Sequence, residues 1–280
     1  MSFETIALIG FGEVGKALKA DMVASGKTVR AYDIAVEADG FDSAAEAVKG
    51  AGLIISAVTA ARTVDAAKSV IGGIEKGSYY LDLNSAAPAT KQQAALIIER
   101  AGGRFVEASV MSPIFPKRIA SPILLGGPHA RMFEADIQAL GFTGAKLCSE
   151  QLGKASATKL CRSVMIKGLE ALISESLLSA RFYGVEAEVL ASLNNLFPHP
   201  DWSGYAQYMI SRTLEHGARR SEEMFEAAKT VEGAGIHPLM ATATAHRQAE
   251  MPAYASALSE TDLLRMLDAI RAQINTTEDA

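Results

Sequence analysis

Residues 10–15 read Gly-Phe-Gly-Glu-Val-Gly, a complete GxGxxG set directly after the apolar run Thr5–Ile9 and directly before a helical stretch. In such a loop the first glycine permits a tight turn and the second lets a pyrophosphate approach the backbone. The third lets the helix pack closely on the strand. A helix that starts there points free N–H groups and the positive end of its dipole at a bound phosphate. A second β-branched run, Thr28–Tyr32, leads to Asp33, eighteen residues past Gly15. That is close to the spacing of about 20 at which a carboxylate holds the adenosine ribose hydroxyls. The pattern predicts a dinucleotide site built by Gly10, Phe11, Gly12, Glu13, Val14 and Gly15, with Asp33 on the ribose. The bland alternative is a glycine-rich turn and an Asp that merely caps a strand. Against it stands the order of strand, loop, helix, strand and acid, all in register. A carboxylate at position 33 repels the 2′-phosphate of NADP and no Arg closely follows it, so the expected cofactor is NAD, with NADP less favoured.

The rest of the first half keeps alternating short apolar runs with helical ones, as a parallel sheet with crossover helices requires. Further strands are expected over Leu53–Val58, Ser78–Leu83, Arg104–Ala108 and Ile123–Leu125. Helices are expected over Val14–Ala24, Ala44–Val48, Thr63–Val70, Thr90–Ala101 and Ala130–Leu140. Right-handed crossovers would wind these into a doubly wound sheet. Val58 and Thr59, where the third strand ends, complete the candidate cofactor residues.

After about Lys146 strand-like runs thin out and helical periodicity takes over. Ala155–Tyr183 reads as one helix of nearly thirty residues, closed by Gly184. Beyond it come Glu186–Leu196, a break at Phe197-Pro198-His199-Pro200, and then helices at Gly204–Thr213, Glu215–Gly233, Pro238–Ala249 and Thr261–Ile274. The expected fold class is therefore α/β: an N-terminal Rossmann-type doubly wound sheet joined by a long helix to an all-α domain. The expected boundaries are 1–150 for nucleotide binding and 151–280 for a helical substrate and dimerisation domain.

Composition removes competing classes. A hydrophobic share of 49% with 21% charged residues excludes a disordered chain. The net charge of −5 gives no basic face for nucleic acid. Two cysteines, Cys148 and Cys161, make neither a disulfide framework nor a zinc motif, so no metal is expected. The longest apolar runs fall far short of the roughly 18 residues of a membrane span. No Lys or Arg precedes Lys16, so a basic signal region is missing. Cytoplasm is the expected location.

A nicotinamide cofactor implies hydride transfer, and hydride transfer needs an acid/base group at the substrate oxygen. The histidines offer little: His129, His199 and His237 adjoin prolines and His246 lies in a polar stretch, so solvated or capping roles suit them. More pointed is Gly153-Lys-Ala-Ser-Ala-Thr-Lys159 at the start of the long helix, whose small residues leave room for a ligand beside Lys159. At 100° per residue, Lys159, Ser163, Ile166 and Glu170 share a face. Burial of such a lysine would lower its pKa toward a useful range, whereas a surface lysine would be silent.

These residues, with Asp82-Leu-Asn-Ser85-Ala-Ala-Pro88 and Glu107-Ala-Ser109-Val-Met111-Ser112-Pro113, resemble the β-hydroxyacid dehydrogenase family. That family includes 3-hydroxyisobutyrate dehydrogenase, tartronate semialdehyde reductase and 6-phosphogluconate dehydrogenase. The resemblance covers nearly the whole chain in four ordered features. It implies that Lys159 is the proton donor or acceptor. It also implies that Ser85 and the loop through Ser109, Met111 and Ser112 bind substrate, with Ser163 one helical turn beyond the lysine. This chain lacks the paired glycines of the family's substrate loop, and it carries Ser163 where the family commonly has Asn. Ile166 stands where decarboxylating 6-phosphogluconate dehydrogenase has an acid, so sugar-phosphate decarboxylation is not implied.

Farther on, Leu214-Glu-His216-Gly-Ala-Arg219-Arg220-Ser-Glu-Glu-Met224 and the run Gly235–Thr244 resemble a branch of that superfamily with its own C-terminal helical domain. His216, Arg219 and Arg220 are candidates for an anionic substrate group, because an Arg fork matches a carboxylate. The competing reading is an ion-paired helix face. The leading expectation is an oxidoreductase acting on a hydroxy acid or related alcohol or carbonyl, working as a homodimer. The alternatives are an imine reductase of similar plan and a non-catalytic NAD-binding protein.

Overall fold

A computed structural model of the protein describes residues 3–196, 198 and 201–278. Of the break expected at 197–200, Phe197, His199 and Pro200 lie outside these residues. The chain divides into two compact units, Met1–Leu160 and Cys161–Ala280.

The first unit runs β1 (Thr5–Ile9), α1 (Glu13–Ala24), β2 (Thr28–Tyr32), α2 (Ala44–Ala47), β3 (Leu53–Ser56) and α3 (Thr63–Ser69). It continues through β4 (Tyr79–Asp82), α4 (Pro88–Arg100), β5 (Arg104–Val110), β6 (Ile123–Gly126), α5 (Ala130–Ala139) and β7 (Ala145–Ser149). The strands form one sheet in the order β2-β1-β3-β4-β5-β6-β7. Alternate residues of each strand point to opposite faces, and both faces are covered. Ile6 and Leu8 pack with Leu18, Met22 and Phe133 of α1 and α5, while Ala7 and Ile9 pack with Ala67, Ala94 and Ile98 of α3 and α4. The expected doubly wound sheet is thus present, with a departure at one edge. β5 and β6 pair antiparallel, and β6 pairs in parallel with β7, a strand the sequence did not announce. β7 lies at the sheet's edge, with Lys146 and Cys148 exposed between its less exposed residues, so no apolar run marks it.

Some strand ends also differ from expectation: β4 is one residue shorter at each end than Ser78–Leu83, and β6 one residue longer than Ile123–Leu125. β3 stops at Ser56, which leaves Val58 and Thr59 in the following loop, and β5 extends two residues further, to Val110.

Helix α6 (Lys154–Tyr183) begins in the first unit and ends in the second, as one uninterrupted helix of 30 residues. The described residues of the second unit are otherwise helical: α7 (Glu186–Leu196), α8 (Trp202–Gly233), α9 (Leu239–Glu250), a 3₁₀ segment at Met251–Ser259 and α10 (Leu263–Glu278). Their core gathers Leu177, Ile210, Leu214, Met251, Leu267 and Ile270. α8 is continuous where a break at Leu214 was expected, and it carries Gly217 in its interior. A Cβ there would lie 2.3 Å from the carbonyl oxygen of Gln248, so this glycine allows α8 and α9 to pack closely. No helix among the described residues is long and apolar enough to cross a membrane.

Candidate active site

The carboxyl ends of β1 to β5 carry most of the first unit's candidate residues. At β1 the backbone turns sharply: Gly10 has φ +102°, and a Cβ on it would sit 2.3 Å from the Ala57 carbonyl oxygen. A Cβ on Gly15 would sit 2.2 Å from the carbonyl oxygen of Gly10. Both positions therefore demand glycine for close packing. Gly12 is different. It is the N-cap of α1, makes no side-chain cap, and nothing stands within 4 Å of where its Cβ would be. The helix N-terminus thus faces open space on the side a pyrophosphate would take, and the loop fits the dinucleotide its sequence implies.

Asp33 is the first residue after β2. Its carboxylate accepts from the backbone N–H of Phe11 at 2.7 Å and from that of Ala35 at 2.8 Å. The Gly10 N–H donates to the Tyr32 carbonyl at 2.9 Å, so glycine loop and acid are tied into one frame. After β3, Val58 donates its N–H to Asn84 Oδ1 at 2.7 Å, and Asn84 Nδ2 reaches Ser56 Oγ at 3.0 Å. Asn84 is buried and makes this loop part of the frame, a role the sequence did not show. Val58 is half-buried and Thr59 is exposed beside it.

Three residues after the end of β4, the chain reaches its most chemically suggestive contact. The Lys159 ammonium, on the second turn of α6, donates to Ser85 Oγ at 2.6 Å. Lys159 and Ser85 are both half-buried. On β5 and its extension, Ser109 is buried, while Met111 and Ser112 are partly exposed, with the Ser112 hydroxyl donating to the Pro113 carbonyl at 3.0 Å. The loop that follows is fastened to α1, because Arg118 pairs with Asp21 at 2.8 Å.

Behind these residues lie three fully buried charges that sequence reasoning missed, Asp82, Lys91 and Glu107. Lys91 on α4 donates to the Asp82 carbonyl at 2.9 Å and to Asp82 Oδ1 at 3.0 Å, and lies 3.5 Å from the Ala108 carbonyl. Burial raises the pKa of the Asp82 carboxyl, and the Lys91 charge opposes that rise. Glu107, the register partner of Asp82, accepts from the backbone N–H groups of Gly153 and Ser156.

In the second unit, Ser163 is buried and accepts from Lys167 Nζ at 3.2 Å, and Lys167 pairs with Glu223 at 2.5 Å. Ile166 is 38% exposed, so the expected face is corrected: the buried stripe of α6 runs through Ser163, Lys167, Glu170 and Ser174. That stripe centres on Ser163, and at 100° per residue Ile166 lies about 60° off its axis. Arg220 pairs with the buried Glu170, which also accepts from Gln248 at 3.0 Å. Arg219 pairs with Glu223 at 2.8 Å on an exposed face. His216 lies 3.1 Å from Glu215, and burial, with the charge of Arg212, holds its pKa below the ordinary value. Among the described residues no cluster of His, Cys, Asp and Glu is arranged to hold a metal ion. His129 occupies the position before α5 without a side-chain cap bond, and the His246 ring packs edge-on against Phe225.

The family described as the NAD binding domain of 6-phosphogluconate dehydrogenase matches residues 5–146, and a domain of unknown function, DUF1932, matches residues 180–251. A conserved hypothetical protein from Sinorhizobium meliloti 1021 has a solved structure that is 34% identical, with 96% of each chain covered and a TM-score of 0.77. The 3-hydroxyisobutyrate dehydrogenase of Mycobacterium tuberculosis, solved with L-serine, is 18% identical over 97% of this chain and 100% of its own, at a TM-score of 0.72, a likeness of fold. The human mitochondrial 3-hydroxyisobutyrate dehydrogenase is 22% identical over 213 residues, a match covering 71% of this chain and 63% of that enzyme's length. The NAD-binding family model spans half of the chain, and the chain belongs to the β-hydroxyacid dehydrogenase family, in the branch whose helical half carries DUF1932.

Proposed function

We propose that this protein is an NAD-dependent dehydrogenase that interconverts a hydroxy acid, or a related alcohol, and its carbonyl, with Lys159 as general acid/base. The observation that carries the reading is the 2.6 Å contact of Lys159 Nζ with Ser85 Oγ. A half-buried ammonium on a small-residue helix turn, held by a hydroxyl at a strand end, is equipped to exchange a proton with a substrate oxygen. Gly10 to Gly15 would hold the pyrophosphate, Asp33 the ribose, and Val58 and Thr59 would line the approach to the nicotinamide. When bound, the dinucleotide supplies or accepts the hydride. Ser85 orients the Lys159 ammonium, and Ser109 on β5 with Met111 and Ser112 just beyond it would shape the substrate's surroundings. The Asp33 carboxylate supports NAD over NADP, since a 2′-phosphate would meet a negative charge already held by the backbone N–H groups of Phe11, Ala35 and Val36.

The substrate is proposed to be anionic and the assembly a homodimer in the cytoplasm. Exposed apolar side chains on α6, among them Met165 and Leu172, support association with a second copy. A light-scattering mass equal to one chain would refute the dimer. The activity is tested by following the NADH absorbance band with both cofactors against hydroxy acids, sugar acids, aryl alcohols and cyclic imines. NAD-linked oxidation of a hydroxy acid is the expected result. Turnover of cyclic imines alone, or dinucleotide binding without any hydride exchange, would overturn the proposal.

A further inference from the structure

We propose that Glu107 is a positioning residue for Lys159, an inference that rests on the dehydrogenase reading above. Glu107 sits within β5, fully buried, in register with Asp82 of β4. Strand β4 leads within three residues to Ser85. The two oxygens of Glu107 leave the sheet and accept from Gly153 N–H and Ser156 N–H, one bond per oxygen, at the very start of α6. A buried carboxylate would ordinarily find a cation. Here the nearby buried ammonium, Lys91, is engaged by the backbone and side chain of Asp82, and Glu107 meets the positive end of a helix instead.

The chain makes room for this arrangement. A Cβ on Gly126 of β6 would lie 2.9 Å from Glu107 Oε2 and 3.3 Å from Ala155 Cβ, so glycine at that point lets the carboxylate reach the helix. Lys159 lies three residues beyond Ser156, about 4.5 Å farther along the helix axis. Fixing the N–H groups of residues 153 and 156 fixes the first turns of α6 against β5, and with them the point from which the lysine reaches Ser85. One carboxylate thereby refers the proposed proton-transfer group to the strand layer that carries its hydroxyl partner. Glu107 acts through the helix backbone, at the N–H groups of Gly153 and Ser156.

The test compares wild type with Glu107→Gln and Gly126→Ala. Glutamine is the same size but presents an NH₂ to one of the two backbone donors, and alanine crowds the carboxylate without removing it. For each protein, NADH affinity, kcat, and hydrogen–deuterium exchange by peptide are measured. The expected result is NADH affinity within about twofold of wild type and kcat reduced by about 10- to 100-fold, the scale of a misplaced reacting group. Exchange should accelerate at residues 153–158 while β1 to β3 keep their protection. A merely structural role would instead raise exchange throughout the unit and weaken NADH binding in parallel. Wild-type kcat in a folded Glu107→Gln protein, or unchanged protection of residues 153–158, would overturn the proposal. If the wild type itself transfers no hydride to any substrate, the dehydrogenase reading fails, while the exchange comparison still decides whether Glu107 holds the helix.

Discussion

The ammonium of Lys159 lies 2.6 Å from the hydroxyl oxygen of Ser85, across 74 residues of sequence. This contact ties the second turn of α6 to the loop after β4, in the unit that also carries the glycine loop.

Removing the hydroxyl at Ser85 is expected to loosen that tie without unfolding the protein. Ser85→Ala should lower kcat/KM by roughly tenfold, the worth of about one hydrogen bond to a charged group, with NADH affinity and melting temperature unchanged. Steady-state kinetics beside a thermal melt provides the check. Unaltered kcat/KM would remove Ser85 from the site.

The three loop glycines should separate by role. Gly15→Ala places a methyl carbon 2.2 Å from the Gly10 carbonyl oxygen, so it should cost about 1–3 kcal/mol of stability through local overpacking. Gly12→Ala meets nothing within 4 Å and has φ −73°, which alanine adopts readily, so its melting temperature should hold. Its NADH affinity should fall, because the methyl group occupies the open space before the helix N-terminus. Titration of NADH fluorescence together with thermal melts distinguishes the two variants. Equal affinity in Gly12→Ala and wild type would contradict the assignment.

The buried pair of Lys91 and Asp82 gives a prediction about stability alone. Lys91→Met strands a carboxylate that is fully buried, and one of its oxygens, Oδ2, has no hydrogen-bond partner in the structure. The cost should be about 3–5 kcal/mol by chemical denaturation, partly relieved by protonation of the stranded acid. The double variant Asp82→Asn/Lys91→Met should recover a large part of that loss. A single variant as stable as wild type would show that the pair contributes nothing.

In the second unit, Arg220 and Arg219 are adjacent in sequence yet should behave oppositely. Arg220 is the cationic partner of Glu170, which is 2% exposed, and Arg220→Ala should destabilise by about 3–5 kcal/mol. The Arg219 side chain is 60% exposed beside Glu223, and Arg219→Ala should change stability by no more than about 1 kcal/mol. Matched urea melts of the two variants measure the difference, and equal effects would mean that the buried pair is dispensable.

Much of this was legible in the sequence, for identifiable reasons. Gly10, Gly12, Gly15 and Asp33 fall within 24 consecutive residues, so their relation is set by one strand–loop–helix–strand unit and survives as a spacing. Lys159 stood out because small residues surround it. Glu107, Lys91 and Asn84 were silent, because each acts through partners that only strand pairing or helix packing brings near. Lys91 stands in the first turn of α4, three residues after Pro88, and nothing in its sequence neighbourhood marks it as buried. Ile166 was misplaced because a face traced from Lys159 starts at the margin of the buried stripe. Arg219 and Arg220 looked alike, since nothing in their order says which one turns toward Glu170.

The central claim is that Lys159 moves the proton. It is tested most directly by comparing wild type with Lys159→Met on whichever substrate the panel identifies, measuring kcat by NADH absorbance and NADH affinity by fluorescence. The expected result is a fall in kcat of about 10²- to 10⁴-fold with NADH affinity unchanged. Wild-type turnover in Lys159→Met would contradict the account.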